Sequence, residues 1–325
     1  MKTIKATDLQ DKLNDQLFGL EVEMLASKPR LADVISVHTK GKKQRPTIRG
    51  FLWGKEHHVI TDQAHRNWYV KSECLNTFEE AAELVTPILT LGNDREILEK
   101  ILTGCRDNMF IGDPQAGVHV NIDGKALPNE GQVFENPLNR FLANYFVVQD
   151  FLHQEILTVN DGRFFHCEPI AERHIKSKLR QTPGKDSSIP LGLRSRKSIA
   201  VSLLHYKKGK GRIELRPFNS THMQDRTCTP LINKDAILAY TELSLALSIA
   251  AQENAKLPPI LEAGQSPQQS TTTFLESIGL FGDDHKETRS IFVNHLPTEK
   301  LTRTNLRVAK FTENYQKYTH GNKIV

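Results

Sequence analysis

Apolar and polar residues alternate in several segments of the chain, and a period of two is typical of strands with one buried face. The clearest case is residues 17–25, where Leu20 and Val22 alternate with Glu21 and Glu23. Alternation or strand-like composition predicts further strands at residues 47–53, 57–61, 68–70, 117–123, 197–206 and 211–218. The sequence KKGKG between the last two indicates a hairpin.

Helical spacing of apolar residues predicts three helices. Residues 94–106 place Ile97 and Ile101 on one face, and residues 137–156 begin with a proline that suits a first helical turn. Residues 235–253 form the third helix. Residues 78–89 fit two interpretations, because positions 82–89 resemble a strand whereas positions 78–84 favour a helix.

These elements divide the chain into four parts. A polar lead-in of residues 1–15 precedes a main domain of residues 16–256. Residues 257–273 are rich in Pro, Gly, Gln, Ser and Thr, which predicts a linker or exposed loop, and residues 274–325 form a C-terminal extension. Because strands and helices follow each other without a regular βαβ rhythm, the predicted fold class is α+β with a mostly antiparallel sheet.

Composition narrows the class of protein. The 325 residues are 38% hydrophobic and 25% charged, which is typical of a folded chain and excludes a wholly disordered one. No run approaches the roughly 20 apolar residues of a membrane span, and the start lacks the apolar core of a secretory signal. The four cysteines show no CxxC spacing, so free thiols and a cytoplasmic location are expected.

Positive charge is concentrated in one segment. The chain carries a formal charge of +5, and residues 172–197 contain eight Lys or Arg against two acids. Two interpretations stay open: a solvated loop, or a flap whose Lys185, Arg194 and Arg196 bind ATP phosphates or an acidic acceptor. A nucleic-acid-binding role is not favoured, because no aromatic residues are interleaved with these charges as stacking on bases requires.

Three predicted strands each present polar side chains on one face, because residues two apart point the same way. These sets are Glu21 with Glu23, His119 with Asn121 and Asp123, and Arg212 with Glu214 and Arg216. Solvated strand faces would explain each set alone. Carboxylates a few Å apart repel unless a cation lies between them, which favours a shared metal site. The glycine-rich phosphate loops and the HExxH and GxSxG motifs are absent.

The order of four motifs adds specificity. FGLEVEM, NWYVKSE with AELVTPIL, GVHVNID and RIELRPF follow each other between residues 17 and 218. This series resembles the amidoligase family, which comprises carboxylate–amine ligases related in fold to glutamine synthetase and glutamate–cysteine ligase. The resemblance implies a sheet of that catalytic type, extends to the helix at residues 235–253, and leaves the last seventy residues uncovered.

The resemblance implies roles for individual residues. It identifies a metal-binding set for Mg²⁺ or Mn²⁺ under ATP, which comprises Glu21, Glu23, Glu83, His119 and Glu214. Arg216 resembles the arginine that faces the transferred phosphoryl group, and Arg212 completes the R-x-E-x-R arrangement. Both arginines would therefore contact ATP and assist catalysis. Two positions depart from the family pattern, since Asn121 replaces a second histidine and Glu73 replaces an aspartate.

The implied activity is ATP- and Mg²⁺-dependent formation of an amide bond through an acyl phosphate. Its substrates would be a small-molecule or peptide-like carboxylate and an amine, and no membrane partner is expected. Two alternatives stay open: phosphoryl transfer to another nucleophile on the same fold, and a basic nucleic-acid-binding protein without catalysis.

Overall fold

A computed structural model of the chain describes residues 6–44, 47–48, 56–73, 81–112, 116–128, 136–151, 167–168, 170, 200–206, 211–220, 231–255 and 265–294. Nine strands occur in this part of the chain. They are β1 (Phe18–Leu25), β2 (Lys42–Lys43), β3 (Thr47–Ile48), β4 (Glu56–Thr61), β5 (Asn67–Glu73), β6 (Ala81–Val85), β7 (Gly117–Asp123), β8 (Val201–Ser202) and β9 (Arg212–Asn219).

The strands form a sheet in the order β2-β4-β5-β6-β1-β7-β9-β8, with β3 paired to β4. Every pairing is antiparallel. The predicted combination of a mostly antiparallel sheet with helices is therefore confirmed. Strand β1 lies near the middle of the sheet, where it pairs with β6 on one side and β7 on the other.

Seven α-helices occur among the described residues. They are α1 (Ala6–Asp15), α2 (Lys28–Thr39), α3 (Leu91–Asp107), α4 (Pro137–Phe151), α5 (Lys234–Gln252), α6 (Pro267–Ser277) and α7 (Lys286–Val293). Short 3-10 turns at Gly124–Ala126 and Asp283–His285 complete the helical part. No helix within the described ranges is long and apolar enough to cross a membrane.

One face of the sheet is apolar and packs on the helices. Leu20, Val22 and Met24 of β1 point to this face and are almost completely buried. Helix α5 contacts β7 and β9 there, and it is itself covered by α1, α4 and α7. Because it is enclosed on all sides, its residues 236–251 are buried throughout. The opposite face of the sheet carries the polar residues.

Parts of the predicted lead-in and of the predicted linker are helical. Residues 6–15 of the predicted lead-in form helix α1, whose Leu9 and Leu13 are four residues apart and are both buried. That single apolar stripe outweighs the polar composition of the segment. The end of the predicted linker belongs to α6, which starts at Pro267 after a capping box formed by Ser266 and Gln269.

The remaining differences concern element bounds. Residues 81–85 form a strand, which resolves the ambiguity of that segment in favour of β6. The strand expected at residues 197–206 extends over only two residues, Val201 and Ser202, within the described positions. Helix α2 was not predicted. The KKGKG connection, residues 49–53 and residues 152–156 lie largely or wholly outside the described residues.

A buried carboxylate connects three helices behind the sheet. Glu242 of α5 has no solvent exposure, and its Oε1 lies 2.6 Å from Nη1 of Arg95 on α3. Its Oε2 lies 2.8 Å from Nδ1 of His285 and accepts a hydrogen bond from Thr288 of α7. Burial by itself would raise the pKa of Glu242, but the hydrogen bond from His285 and the charge of Arg95 outweigh it and lower that pKa.

We expect His285→Ala to reduce the free energy of unfolding by about 1–3 kcal/mol, because the buried carboxylate loses a donor that no water replaces. Lys286→Ala, at the exposed neighbouring position, is the control. A carboxylate whose pKa is lowered by folding stabilises the fold above its unfolded value and loses this effect as pH falls. The difference in the free energy of unfolding between His285→Ala and Lys286→Ala should therefore become smaller below about pH 4.5. Urea titrations check this, and equal stability at pH 7 would contradict it.

Candidate active site

The polar face of the sheet brings together side chains from β1, β6 and β7. In the antiparallel register Glu21 lies opposite His119, and Glu23 lies opposite Glu83. Directly opposed residues share a face with their Cβ atoms about 5 Å apart, so all four side chains meet. All four are buried. The sequence predicted each as a metal ligand, and the fold places them as one cluster.

Strand β9 extends the cluster on the far side of β7. Its Glu214 lies opposite Asn121, and Arg212 lies opposite Asp123. A bulge then sets two residues of β9, Arg216 and Pro217, against a single residue of β7. A bulge accommodates a proline, which cannot donate to the ladder, and re-aims the neighbouring side chain. The backbone N–H of Arg216 donates to Ala200 at 2.8 Å, which holds this part of the strand.

His119 lies at the centre of the carboxylates. Its Nδ1 is 3.3 Å from Oε2 of Glu21 and 3.4 Å from Oε1 of Glu214. Its Nε2 is 3.6 Å from Oε1 of Glu23. One imidazole therefore contacts three of the four predicted carboxylate ligands, and its exposed fraction is only 3%. The other oxygen of Glu23 accepts the backbone N–H of Gly117.

Two arginines flank the cluster from β9. Arg216 donates to Oε1 of Glu214, and its side chain is 16% exposed. Arg212 lies closer to solvent, with its Nη2 3.4 Å from Oε1 of Glu21. A guanidinium keeps its charge and presents its donors in a rigid plane. The contact with Glu214 therefore fixes the orientation of the whole Arg216 guanidinium.

A third basic residue was not assigned a role from the sequence. Lys71 of β5 lies opposite Glu83 in the register, and its Nζ is 3.2 Å from Oε2 of that residue. The signal that identifies it is period-two spacing from Glu73, which stands where the family pattern has an aspartate. Predicting the contact between Lys71 and Glu83 also requires knowledge that β5 pairs with β6, which cannot be derived from the alternation of residues within one strand.

The cluster separates the pKa values of two of its carboxyl groups. Burial acts to raise the pKa of Glu21, but the hydrogen bond and charge of His119, with Arg212 and Lys71, lower it to about 2. Burial raises the pKa of Glu83 to about 7, helped by the negative charge of Glu21 and opposed by Lys71. A clustered pair of acids with opposite shifts is typical of functional sites.

The ligand set fits a hard divalent cation. Among the described residues, one ligand atom each from Glu21, Glu83 and His119 lies within 4.8 Å of the others, and all three residues are buried. Carboxylate oxygens are the ligands that Mg²⁺ takes in proteins, and imidazole is accepted more readily by Mn²⁺. At the family's second histidine position, Asn121 donates its Nδ2 to Oε1 of Glu21 at 3.3 Å. The side-chain amide of Asn121 therefore supports the Glu21 carboxylate through this hydrogen bond.

The segment predicted to bind ATP phosphates lies outside the described residues. Its predicted contact residues are Lys185, Arg194 and Arg196. The roles assigned to the residues of the cluster stay predictions, whereas their convergence is a property of the fold.

The fold and site define a class of protein that presents a buried acidic cluster on one face of an antiparallel sheet. A comparison with family models assigns the chain within that class. The family described as "Putative amidoligase enzyme" matches residues 14–237, which is more than half of the chain. The chain belongs to this amidoligase family, as the order of its motifs predicted. No curated protein matches the chain.

Charge repulsion in the cluster predicts an unusual pair of effects for Glu83→Gln. Without metal, the substitution removes one buried acid and should raise the melting temperature at pH 8, because fewer carboxylates repel. With Mn²⁺ added, the same variant should gain less thermal stability than the wild type, because a ligand is lost. Thermal melts in EDTA test the expected rise in melting temperature, and melts in Mn²⁺ test the smaller stabilisation by metal.

The matched control is Glu276→Gln on the exposed side of α6. It should leave both melting temperatures close to those of the wild type. A lower melting temperature of Glu83→Gln in EDTA, combined with an unchanged response to Mn²⁺, would contradict the assignment of Glu83.

Proposed function

We propose that the protein is an ATP- and Mg²⁺-dependent ligase that joins a carboxylate to an amine through an acyl phosphate. The observation that carries this proposal is the convergence of Glu21, Glu23, Glu83, His119 and Glu214 on one sheet face of an amidoligase-family chain. We further propose that the sheet is of the glutamine synthetase and glutamate–cysteine ligase type. The substrates are a small-molecule or peptide-like carboxylate and an amine.

The chemistry explains the composition of the cluster. A carboxylate and an amine do not condense in water, because the oxygen that must leave is a poor leaving group. Transfer of the γ-phosphoryl group of ATP to the carboxylate makes that oxygen part of a phosphate, which is a good leaving group. The reaction gathers many negative oxygens in a small volume, and bound Mg²⁺ would neutralise them from its place among Glu21, Glu83 and His119.

The arginines act on the moving phosphoryl group. Its charge spreads over equatorial oxygens during transfer, and donors fixed in advance stabilise that charge without reorganisation. Arg216 meets this requirement, since Glu214 and the bulge of β9 hold its guanidinium at the floor of the site. Arg212 is more exposed and suits the initial binding of phosphate oxygens.

Trapping with hydroxylamine tests the proposed reaction without knowledge of the natural amine. The protein is incubated with ATP, Mg²⁺, hydroxylamine and pools of amino acids, dicarboxylates and short peptides. The hydroxylamine nitrogen attacks the acyl carbon, a C–N bond forms, the C–O bond to phosphate breaks, and phosphate leaves. We expect one pool to give hydroxamate and ADP in equal amounts. ADP release without hydroxamate would instead indicate phosphoryl transfer to another nucleophile.

We expect Arg216→Lys to lose turnover by on the order of a hundredfold or more, because an ammonium cannot reproduce the fork of donors. Affinity for ATP should change little, since metal and other contacts supply most of it. Hydroxamate formation measures turnover, and calorimetry with Mg²⁺ and ATP measures affinity on the same preparation.

Arg106→Lys, at an exposed position of α3, controls for the substitution itself. If Arg216 only holds the strand through Glu214, its substitution would lower the melting temperature and leave the rate per folded molecule close to that of the wild type. That outcome would contradict a role in phosphoryl transfer.

A further inference from the structure

A cavity of about 530 Å³ opens beside the cluster. It lies at the end of the sheet where β1 and β9 begin and β6 and β7 end, so Glu21, Asn121 and Arg212 contribute to both the cluster and the cavity. Its volume falls within the range of small-molecule sites. The cavity is continuous with the proposed reaction centre, which makes it a candidate for a substrate site.

A glycine within β1 keeps this cavity open. Gly19 points to the same face as Glu21, and a Cβ atom there would meet Pro87, Asn121 and Thr86 at 3.8–3.9 Å. These are ordinary contacts, so the backbone does not require a glycine at this position. Glycine weakens a strand interior and often marks a place where a ligand approaches closely. The absence of a side chain at Gly19 therefore leaves room for a ligand in the cavity.

The walls of the cavity differ in character. One wall is apolar and includes Leu17 and Ile88, which are 41% and 67% exposed, together with Val85 and Pro87. Large apolar side chains so exposed beside a cavity favour an apolar ligand group.

The other wall carries opposite charges side by side. It carries two carboxylates, from Glu21 and Asp123, and two cations, from Arg212 and Lys125, with Nη2 of Arg212 3.4 Å from Oε1 of Glu21. One oxygen of Asp123 accepts the backbone N–H of Lys125 at 3.0 Å, which orients the carboxylate. A wall of this kind complements a ligand that carries both an ammonium and a carboxylate group close together.

We propose that the cavity binds the amine substrate, and that this substrate is an α-amino acid with an apolar side chain. The ammonium group is bound by Asp123 and Glu21, the carboxylate by Arg212 and Lys125, and the side chain by the apolar wall. This assignment rests on the proposed ligase function for its role in the reaction. The cavity position places the amine next to the face where the acyl phosphate forms.

The bond-forming step balances with this substrate. The amine nitrogen attacks the acyl carbon, a C–N bond forms, and the C–O bond to phosphate breaks. Of the two protons that the ammonium group gives up, one leaves with the phosphate as hydrogen phosphate and the other passes to solvent.

Two other ligand classes fit less well. A nucleobase would need an aromatic surface for stacking, but Phe18 is 2% exposed and packs in the core, so the imidazole of His205 is the one accessible aromatic ring among the described lining residues. A polyamine carries only positive charge and would be repelled by Arg212 and Lys125. The test covers a nucleobase with adenosine and a purely cationic amine with leucinamide.

Calorimetric titration of the full chain with four probes tests the ligand class. L-leucine carries both charged groups, leucinamide lacks the carboxylate, 4-methylpentanoate lacks the ammonium, and adenosine presents a base. We expect L-leucine to bind at least tenfold more tightly than the other three. Equal binding of leucinamide or 4-methylpentanoate, preferential binding of adenosine, or no binding of L-leucine would overturn the proposal.

Two variants locate the binding in this cavity. Gly19→Val fills the space beside Glu21, and Ile88→Asp places a negative charge on the apolar wall. Each should weaken L-leucine binding at least tenfold. The matched control is Val37→Asp, because Val37 is a similarly exposed β-branched residue, 70% exposed, on α2 and away from the cavity. Unchanged L-leucine affinity in Gly19→Val would contradict the location.

Binding of Mg²⁺ with ATP is measured on the same samples, so that two failures can be told apart. Wild-type protein that binds L-leucine but not Mg²⁺ with ATP would contradict the ligase proposal and leave the amino-acid site standing. Wild-type protein that binds Mg²⁺ with ATP but not L-leucine would overturn the amino-acid site alone.

Discussion

Repulsion between buried carboxylates is the constraint on which the site depends. Glu21, Glu23 and Glu214 contact one imidazole, and a carboxylate oxygen of Glu83 lies within 4.8 Å of a nitrogen of the same ring, on a face largely shielded from water. Such an arrangement is costly unless positive charge compensates it. The chain supplies part of that charge through Arg212, Arg216 and Lys71. The proposed divalent cation supplies the remainder, and the opposite pKa shifts of Glu21 and Glu83 reflect the same excess of negative charge.

The rest of the fold holds this cluster in place. Four adjacent strands supply the residues of the cluster, three of them its carboxylates and β7 its histidine, and paired strands are more rigid supports than loops. Their other face is closed by α5, which is buried over residues 236–251. Glu242 connects that helix to α3 and α7, so part of the predicted C-terminal extension is packed against the domain that carries the site. Apolar packing on one face thus supports the charged groups on the other.

The sequence allowed much of this site to be predicted, because a period of two assigns side chains to a face without any knowledge of partners. Glu21 with Glu23 and Glu214 with Arg216 were paired in this way. Contacts between strands were harder to predict. Glu83 lies opposite Glu23 and Lys71 because of the register in which β6 pairs with β1 and with β5. The bulge at Arg216 and the cavity beside Gly19 depend on tertiary structure. Helix α1 was missed because two buried leucines, Leu9 and Leu13, give little signal within a polar segment.

We propose that the acidic face binds a divalent cation under ATP. Anomalous diffraction from crystals grown with Mn²⁺ and a non-hydrolysable ATP analogue would locate that cation. We expect an anomalous peak within coordination distance of Glu21, Glu83 and His119, with the phosphates of the analogue beside Arg216. A nucleotide bound elsewhere, or Mn²⁺ peaks that avoid these three residues, would contradict it.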